Sequence, residues 1–363
     1  MEKLLTFAVP SYNMEQYLRK CISSCVCDNM EYLEVIIVND GSKDRTSEIG
    51  HKLVNEFPNV VRIIDKENGH YGTCVNYALS EAKGKYFKML DPDDWCDTEA
   101  LNTLLEHLKT CDTDLVVTIA HDLYADGTFR DCLDFPISIE EGKVFDAKTF
   151  NCVKEGFLDL FCSHLLTYKT ELLRLIGLKL QGGIAYTDNE FVFYPLDKIK
   201  DIIFYRLPLY QYLTERPGQS TEVMNVNTQK QMWQVLEPML NYYKKHKSEN
   251  TEAVLRNQCL MIAEIGHWIY YPIFNDGATE ENRKYLYQFE EILKNDKELS
   301  DTFELKLRGW KKCCLKHYRE TGKLMEYSWF SDTWFALRYN HRKFRLWMRA
   351  KKKGLYKMLG KSK

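Results

Sequence analysis

A mostly parallel β-sheet flanked by helices, followed by an all-helical C-terminal region, is the fold this sequence predicts. Three observations carry that expectation. Over the first 120 residues, short apolar runs alternate with segments of helical apolar spacing. Several of those runs are apolar throughout, as in strands buried on both faces. From about Thr221 onward the spacing is helical alone. A chain of 363 residues also exceeds one ordinary core, so we expect two domains, residues 1–220 and 221–363.

The elements follow in order. Leu4–Val9 is the first strand, and Tyr17, Leu18, Cys21, Ile22 and Cys25 then mark a helix face. Leu33–Val38 is the second strand, followed by a helix with Ile49, Leu53 and Phe57 on one face. Val60–Ile64 is the third strand, and Val75, Leu79 and Ala82 mark the next helix. Lys85–Leu90 is the fourth strand. Asp97 caps a helix carrying Leu101, Leu104, Leu105 and Leu108, and Leu115–Ile119 is the fifth strand. Ala125-Asp126-Gly127 is a hairpin turn. Phe129–Gly183 reads as irregular, with a helical centre near Phe157–Arg174. Asp201–Tyr212 reads as a strand, placed at an edge because Pro208 lies inside it. Helices are expected over Gln231–His246, Thr251–Tyr271, Glu280–Lys294, Leu299–Glu320 and Ser331–Arg349.

Composition narrows the classes. Hydrophobic content of 45% with 28% charged residues is that of a soluble globular protein. A net charge of −2 excludes a polycation built for nucleic acid. No run reaches the ~18–20 apolar residues of a membrane span. Leu4–Val9 is too brief for a signal-peptide core, and no small-residue cleavage site follows. The twelve cysteines suggest no disulfide framework in so long a chain. Cys21, Cys25 and Cys27 lack the paired spacing of a zinc site, and a reducing cytoplasm is the expected setting.

Ligands of a parallel α/β sheet sit beyond the carboxyl ends of its strands. Four successive strand ends here carry polar, turn-forming clusters: Pro10-Ser11-Tyr12-Asn13, Asn39-Asp40-Gly41-Ser42-Lys43-Asp44, Asn68-Gly69-His70-Tyr71-Gly72 and Asp91-Pro92-Asp93-Asp94. Each alone is compatible with ordinary turn chemistry. Together they suit a nucleotide carrying phosphates. Tyr12 offers a flat face to a base, and Asp40 can accept the ring N–H of a uracil-like base. Gly41 permits a sharp turn, and Ser42 is a candidate cap for the following helix. Asn68 can reach a base or ribose edge. Gly69 and Gly72 allow close approach at a helix start, a place for phosphate. Asp91 suits a ribose hydroxyl and Asp93 a divalent metal, Mg²⁺ or Mn²⁺, since packed carboxylates call for a hard cation. A solvated turn with an N-cap Asp is the plain alternative for this last cluster.

Val9-Pro10-Ser11-Tyr12-Asn13, Val38 through Thr46, Asn68-Gly69 through Asn76, and Leu90-Asp91-Pro92-Asp93-Asp94-Trp95 resemble the family 2 inverting glycosyltransferases of GT-A fold, over about residues 3–220. The resemblance implies a nucleotide-sugar donor, usually UDP-linked. It implies a donor site around Pro10, Tyr12, Asn13, Asp40, Asn68, Gly69, Asn76, Asp91 and Pro92, with a metal on Asp93. Val75 stands where the family often has Arg, a departure that bears on the donor sugar. The family's catalytic base matches Asp188 in Gly182-Gly183-Ile184-Ala185-Tyr186-Thr187-Asp188-Asn189-Glu190-Phe191, with Thr187 replacing Glu. A helix N-cap is the plain reading of Asp188, and Glu190 is the second candidate base. Tyr212 through Ser220 resembles the segment that closes over the donor, where Arg216 neutralises the leaving diphosphate or sits in an exposed turn. His164 falls where the acceptor is expected, and reads as a packed or solvated histidine.

From Arg338 to Lys363 there are eleven Lys/Arg and no Asp/Glu, interleaved with aromatics. That suits an anionic membrane surface or a solvated terminal helix, without a nucleic-acid motif. The expected function is transfer of a sugar from a nucleotide sugar to a glycan or lipid-linked acceptor hydroxyl in surface-polysaccharide or glycoconjugate assembly. Such an enzyme would be cytoplasmic and peripheral on the inner face of the plasma membrane. A sugar-nucleotide-binding scaffold with weakened chemistry is the alternative, supported by Val75 and Thr187.

Overall fold

The computed structural model describes residues 2–124, 126–157, 162–214, 216, 226–270, 280–307 and 310–322. They belong to two compact units, Met1–Pro272 with Ala278–Leu307, and Ile273–Gly277 with Arg308–Lys363. The expected helix Ser331–Arg349 and the basic tail lie outside the described residues.

The first unit is organised by a sheet of ten strands: β1 (Leu5–Ser11), β2 (Leu33–Asn39), β3 (Val61–Asp65), β4 (Tyr86–Met89), β5 (Trp95–Cys96), β6 (Leu115–Leu123), β7 (Phe129–Leu133), β8 (Val144–Asp146), β9 (Leu166–Lys169) and β10 (Asp201–Leu213). Their order is β3-β2-β1-β4-β9-β6-β10-β5, with β7 beside β6 and β8 beside β10. β1, β2, β3 and β4 pair in parallel. Every residue of β1 and β2 is buried, which is why those runs are apolar without alternation. Between the strands run α1 (Leu18–Ser24), α2 (Thr46–Glu56), α3 (His70–Glu81) and α4 (Thr98–Leu108). Asp97 caps α4 by accepting from Ala100 N, as its sequence predicts.

The second half of the sheet departs from the expected pattern. β9 is antiparallel to both β4 and β6, so the sheet is mixed. Among the described residues, the helical centre expected over Phe157–Arg174 is instead a 3-10 turn at Ser163–Leu165, then β9, and helix only in α5 (Thr170–Leu175). Leu165 through Tyr168 are buried without a break, and a short apolar run has no period that separates strand from helix. β10 is not an edge strand. It pairs with β6 on one side and with β8 and β5 at the two ends of the other. Pro208 sits where the β6 register shifts, a bulge that tolerates its missing N–H. The β6–β7 hairpin turns as expected, with Gly127 at φ +80° and its N–H on Tyr124 O.

After α6 (Asp188–Phe193) come α7 (Val226–His246), α8 (Glu252–Ile269), α9 (Glu280–Asn295) and α10 (Lys297–Lys306). α7 packs on α6, α8 and α9, and α10 packs on α8. Tyr270, Phe289 and Phe303 form an aromatic core among them. The single helix expected over Leu299–Glu320 is two, because the chain turns extended at Leu307 (ψ 126°). The second piece, α11 (Trp310–Thr321), is the described element of the other unit. No helix among the described residues is long and apolar enough to cross a membrane.

Candidate active site

Parallel pairing of β1 to β4 brings the carboxyl ends of four successive strands to one edge of the sheet. At the β1 end, Tyr12 is 45% exposed. Asn13 adopts φ +55°, which Asn tolerates, and ties the β1 and β2 loops. Its Oδ1 accepts from Lys43 N at 2.8 Å, and its own N–H donates to Ser42 Oγ at 3.0 Å. Ser42 is thus a loop tie and not the cap of α2. Arg45 occupies the N-cap position, and Asp44 before it accepts from Thr46 N at 2.9 Å.

Asp40 is buried, and its carboxylate accepts from Gly69 N and His70 N, both at 2.9 Å, and from Lys66 Nζ. It fixes the start of α3 to the end of β2. Asn68 Nδ2 adds a bond to Asp40 O. Gly41 has φ +70°, and a Cβ there would lie 3.0 Å from Asn68 N, so the turn and the close approach both require glycine. Beside this network, Asn39, Gly41, Lys43, Asp65, Lys66, Glu67 and Asn68 line an open cavity of about 500 Å³. Gly72 serves chain packing: a Cβ would meet Gln181 O at 2.1 Å. Asn76 binds Leu180 through both ends of its amide, Nδ2 to Leu180 O at 2.8 Å and Oδ1 from Leu180 N at 2.9 Å. These two residues of α3 therefore hold the segment that leads to Asp188.

The turn after β4 closes with Asp94 N on Asp91 O at 3.0 Å, and Pro92 is buried within it. Its three carboxylates have different partners. Asp91 Oδ1 accepts from Tyr71 Oη at 2.9 Å, and Oδ2 lies 3.3 Å from His164 Nε2. Burial opposes its charge, but His164 and Tyr71 hold the carboxyl below its usual range. Asp93 pairs with Arg216. Burial and the Asp91 charge nonetheless push Asp93 up. Asp94 is 1% exposed and accepts from Tyr210 Oη and Leu213 N, both at 2.7 Å. Burial first, then Asp93 and Asp91, push it well up. Ligand atoms of Asp91, Asp94 and His164 lie within 4.8 Å of one another, a donor set that suits a cation.

Asp188 opens α6, two residues after Tyr186 in the left-handed region (φ +66°). Thr187, not Asp188, occupies the N-cap position. The preceding loop is pinned by Glu190, which accepts from Gln181 N and Nε2, and by Gln231 of α7, which accepts from Ala185 N. Glu190 thus has a structural task. Burial, then the charge of Asp91, push Asp188 up to about 6, with His164 opposing. The same pair of carboxylates also bears on Tyr71, so Asp188, Asp91 and Tyr71 share one cluster.

Sequence reasoning discounted His164 and passed over Tyr71, Tyr210 and Lys88. His164 stacks on Tyr210 (4.5 Å, 21°) and Tyr212 (5.1 Å, 30°), with Cys162 Sγ at 3.2 Å from Nδ1. Burial disfavours its charge, yet Cys162 and Asp91 pull it well above its ordinary value. Lys88, fully buried in β4, donates to His164 O and to Leu166 O, and burial lowers it to about 7. Tyr71 lies within the cluster after β3, but no local motif signals His164, Tyr210 or Lys88, because β4, β9 and β10 bring them together from distant segments.

Residues 6–162 match glycosyl transferase family 2. Chondroitin synthase of Pasteurella multocida (strain Pm70) is 37% identical over 126 residues, 34% of this chain but only 13% of that one. An uncharacterized glycosyltransferase of Mycoplasma pneumoniae, the MG025 homolog, is 28% identical over 248 residues, 66% of this chain and 78% of that one. TarS of S. aureus (residues 1–349), solved in complex with UDP-GlcNAc, has the same fold: TM-score 0.64, 17% identity, with 87% of each chain covered. The four motifs that stand in order at one sheet edge thus fall within the segment, residues 6–162, that matches glycosyl transferase family 2.

Proposed function

We propose that this chain transfers a sugar, with inversion and with the help of a divalent metal, from a UDP-sugar to an acceptor hydroxyl in surface-polysaccharide or glycoconjugate assembly. The observation that carries the reading is that Asp188 lies close enough to the Asp91–Asp94 turn for Asp91 to act on its charge, in a half-buried cluster with Tyr71. With its carboxyl at about 6, Asp188 is ionised near neutral pH yet basic enough to take a proton. It removes the proton of the acceptor hydroxyl as that oxygen attacks the anomeric carbon. Tyr12 and the cavity around Lys66 and Asn68 receive the base, and Asp91 the ribose.

The carboxylates of the turn fit a hard cation, Mn²⁺ or Mg²⁺, since their mutual repulsion needs relief. Asp93 would hold it, with Asp91, Asp94 and His164 close by. When bound, such a cation neutralises the leaving diphosphate. Arg216, now on Asp93, has the charge to share that task. Residues 1–220 are proposed as the catalytic domain and 221–363 as its helical companion. The tail 338–363, outside the described residues, is proposed to dock the enzyme on the anionic inner face of the membrane.

The deciding experiment is release of the nucleoside diphosphate, UDP or GDP, from a panel of UDP- and GDP-sugars, with and without Mn²⁺, by wild type and Asp93→Asn. Mn²⁺-dependent release by wild type, lost in a variant of unchanged melting temperature, is the expected result. Nucleotide binding without turnover on a broad acceptor panel would support the scaffold reading instead.

A further inference from the structure

Resting on that reading, we propose that Asp122 and Tyr212 bind the receiving sugar, and that they admit a neutral or amine-bearing sugar while turning away one that carries a carboxylate or phosphate. Strand register sets the pair. Asp122 lies opposite Tyr212 in the parallel β6–β10 pairing, and Ala120 lies opposite Tyr210. Paired positions share a face, as do alternate residues of one strand. Tyr210 and Tyr212 both stack on His164, which contacts Asp91. Asp122 therefore shares the face of the sheet that bears the reaction centre, and His164 is close enough to influence its charge. Among the described residues, neither the Asp122 carboxylate nor the Tyr212 hydroxyl has a hydrogen-bond partner. Both are half-buried. Half-buried polar groups left unpaired beside a reaction centre are suited to a ligand's hydroxyls.

The charge around them selects the ligand. Asp131 faces Asp122 across β6–β7, and like charges directly opposite are unfavourable unless a cation or a donor lies between. Asp91, Asp93, Asp94 and Asp188 surround the reaction centre, where the His164 ring contacts Asp91 and the Arg216 guanidinium pairs with Asp93. Arg130 is near Asp122 but makes no ion pair with it among the described residues. An anionic group on the receiving sugar would meet Asp122 and Asp131 with Arg130, held over the Tyr124 ring, as the countercharge near Asp122. A hydroxyl or an ammonium would donate to it, with the sugar ring lying along Tyr212.

The test uses the full chain, its best UDP-sugar donor, and the methyl glycosides of glucose, N-acetylglucosamine, glucosamine and glucuronic acid as acceptors. Wild type is expected to prefer the neutral and amino glycosides over the glucuronide by ~100-fold in kcat/KM, the scale of a like-charge contact. Asp122→Asn should shrink that ratio by ~10-fold, and Tyr212→Phe should raise acceptor KM a few-fold while keeping the ratio. Preference for the glucuronide, or an unchanged ratio in Asp122→Asn, overturns the proposal. If no glycoside is glycosylated, their inhibition of donor hydrolysis is read in the same order, and no inhibition by any of them also overturns it. A wild type that neither binds nor hydrolyses any donor defeats the glycosyltransferase reading itself, a result distinct from the others.

Discussion

Asp40 and Asp188 are both buried or half-buried carboxylates at the same sheet edge, and they do opposite things for the molecule. Asp40 is surrounded by donors: two backbone N–H groups at the start of α3 and the Lys66 ammonium. Asp188 is held among other carboxylates, with burial first and the Asp91 charge second pushing its carboxyl up. The first environment favours the charge and stabilises the fold. The second disfavours the charge and leaves it available to a substrate. The region around β1, β2 and α3 is therefore a self-satisfied frame, and the region around β4, β9, β10 and α6 holds its electrostatic strain.

Asp188→Asn tests the strained side and has the largest expected effect. Loss of a positioned base should lower kcat by about 10²–10⁴-fold. Stability should move the other way. A carboxyl raised in the folded state is an advantage at low pH that is lost as pH rises from the unfolded value towards the folded one, about 6. The Asn variant has no such loss, so its melting temperature should overtake that of wild type between about pH 4 and 6 and stay above it. The acid limb of wild-type kcat/KM should fall near 6 when measured across the same range. A variant that is inactive and also less stable at pH 7 would erase the contrast with Asp40.

Asp40→Ala tests the frame. It strands Lys66 in a buried position and leaves the Gly69 and Gly72-bearing helix without its anchoring acceptor. Removing one partner of a buried pair costs about 3–5 kcal/mol. Chemical denaturation should show that loss, and a cost below about 1 kcal/mol would mean the frame is not self-satisfied.

The contrast also explains what could be read from the sequence. The four strand-end clusters are local: Asn39 to Asp44, for example, contains its own turn, its Gly at positive φ and, in Asp44, the acceptor for the first N–H of α2. Turn chemistry at the end of an apolar run is visible in a window of a few residues. His164 reaches Asp91 only because β9 inserts antiparallel beside β4, and Tyr210 reaches Asp94 only because β10 is interior. The apolar run at Leu165–Tyr168 carried no period, and Pro208 argued locally for an edge, so those two placements failed together. With them went the partners of Asp91 and Asp94. The roles of Gly72 and Asn76 were misplaced for a similar reason: what they touch, Gln181 and Leu180, is about a hundred residues away.

Gly72→Ala probes the seam between the two regions. The added Cβ would meet Gln181 O at 2.1 Å, backbone that cannot turn aside. Overpacking of this kind costs about 1–3 kcal/mol. Displacement of the Gln181 segment should also disturb Asp188, so kcat should fall more than donor affinity. Equal losses in both would place the seam on the donor side instead.

Asn13 gives the smallest and cleanest separation, because one residue carries both a hydrogen bond and a backbone strain. Its Oδ1 holds Lys43 N at 2.8 Å, and its φ is +55°. Asn13→Gly removes the bond and keeps the conformation accessible, so it should cost about 0.5–1.5 kcal/mol. Asn13→Ala removes the same bond and adds the penalty of a Cβ in the left-handed region, a further ~1 kcal/mol. The two losses differ only by that penalty, since neither side chain touches the β2 loop. If Ala and Gly prove equal in denaturation, the loop has relaxed out of its positive φ, and the frame yields at its rim; if they differ as expected, the backbone that presents Tyr12 is fixed by its surroundings before any ligand arrives.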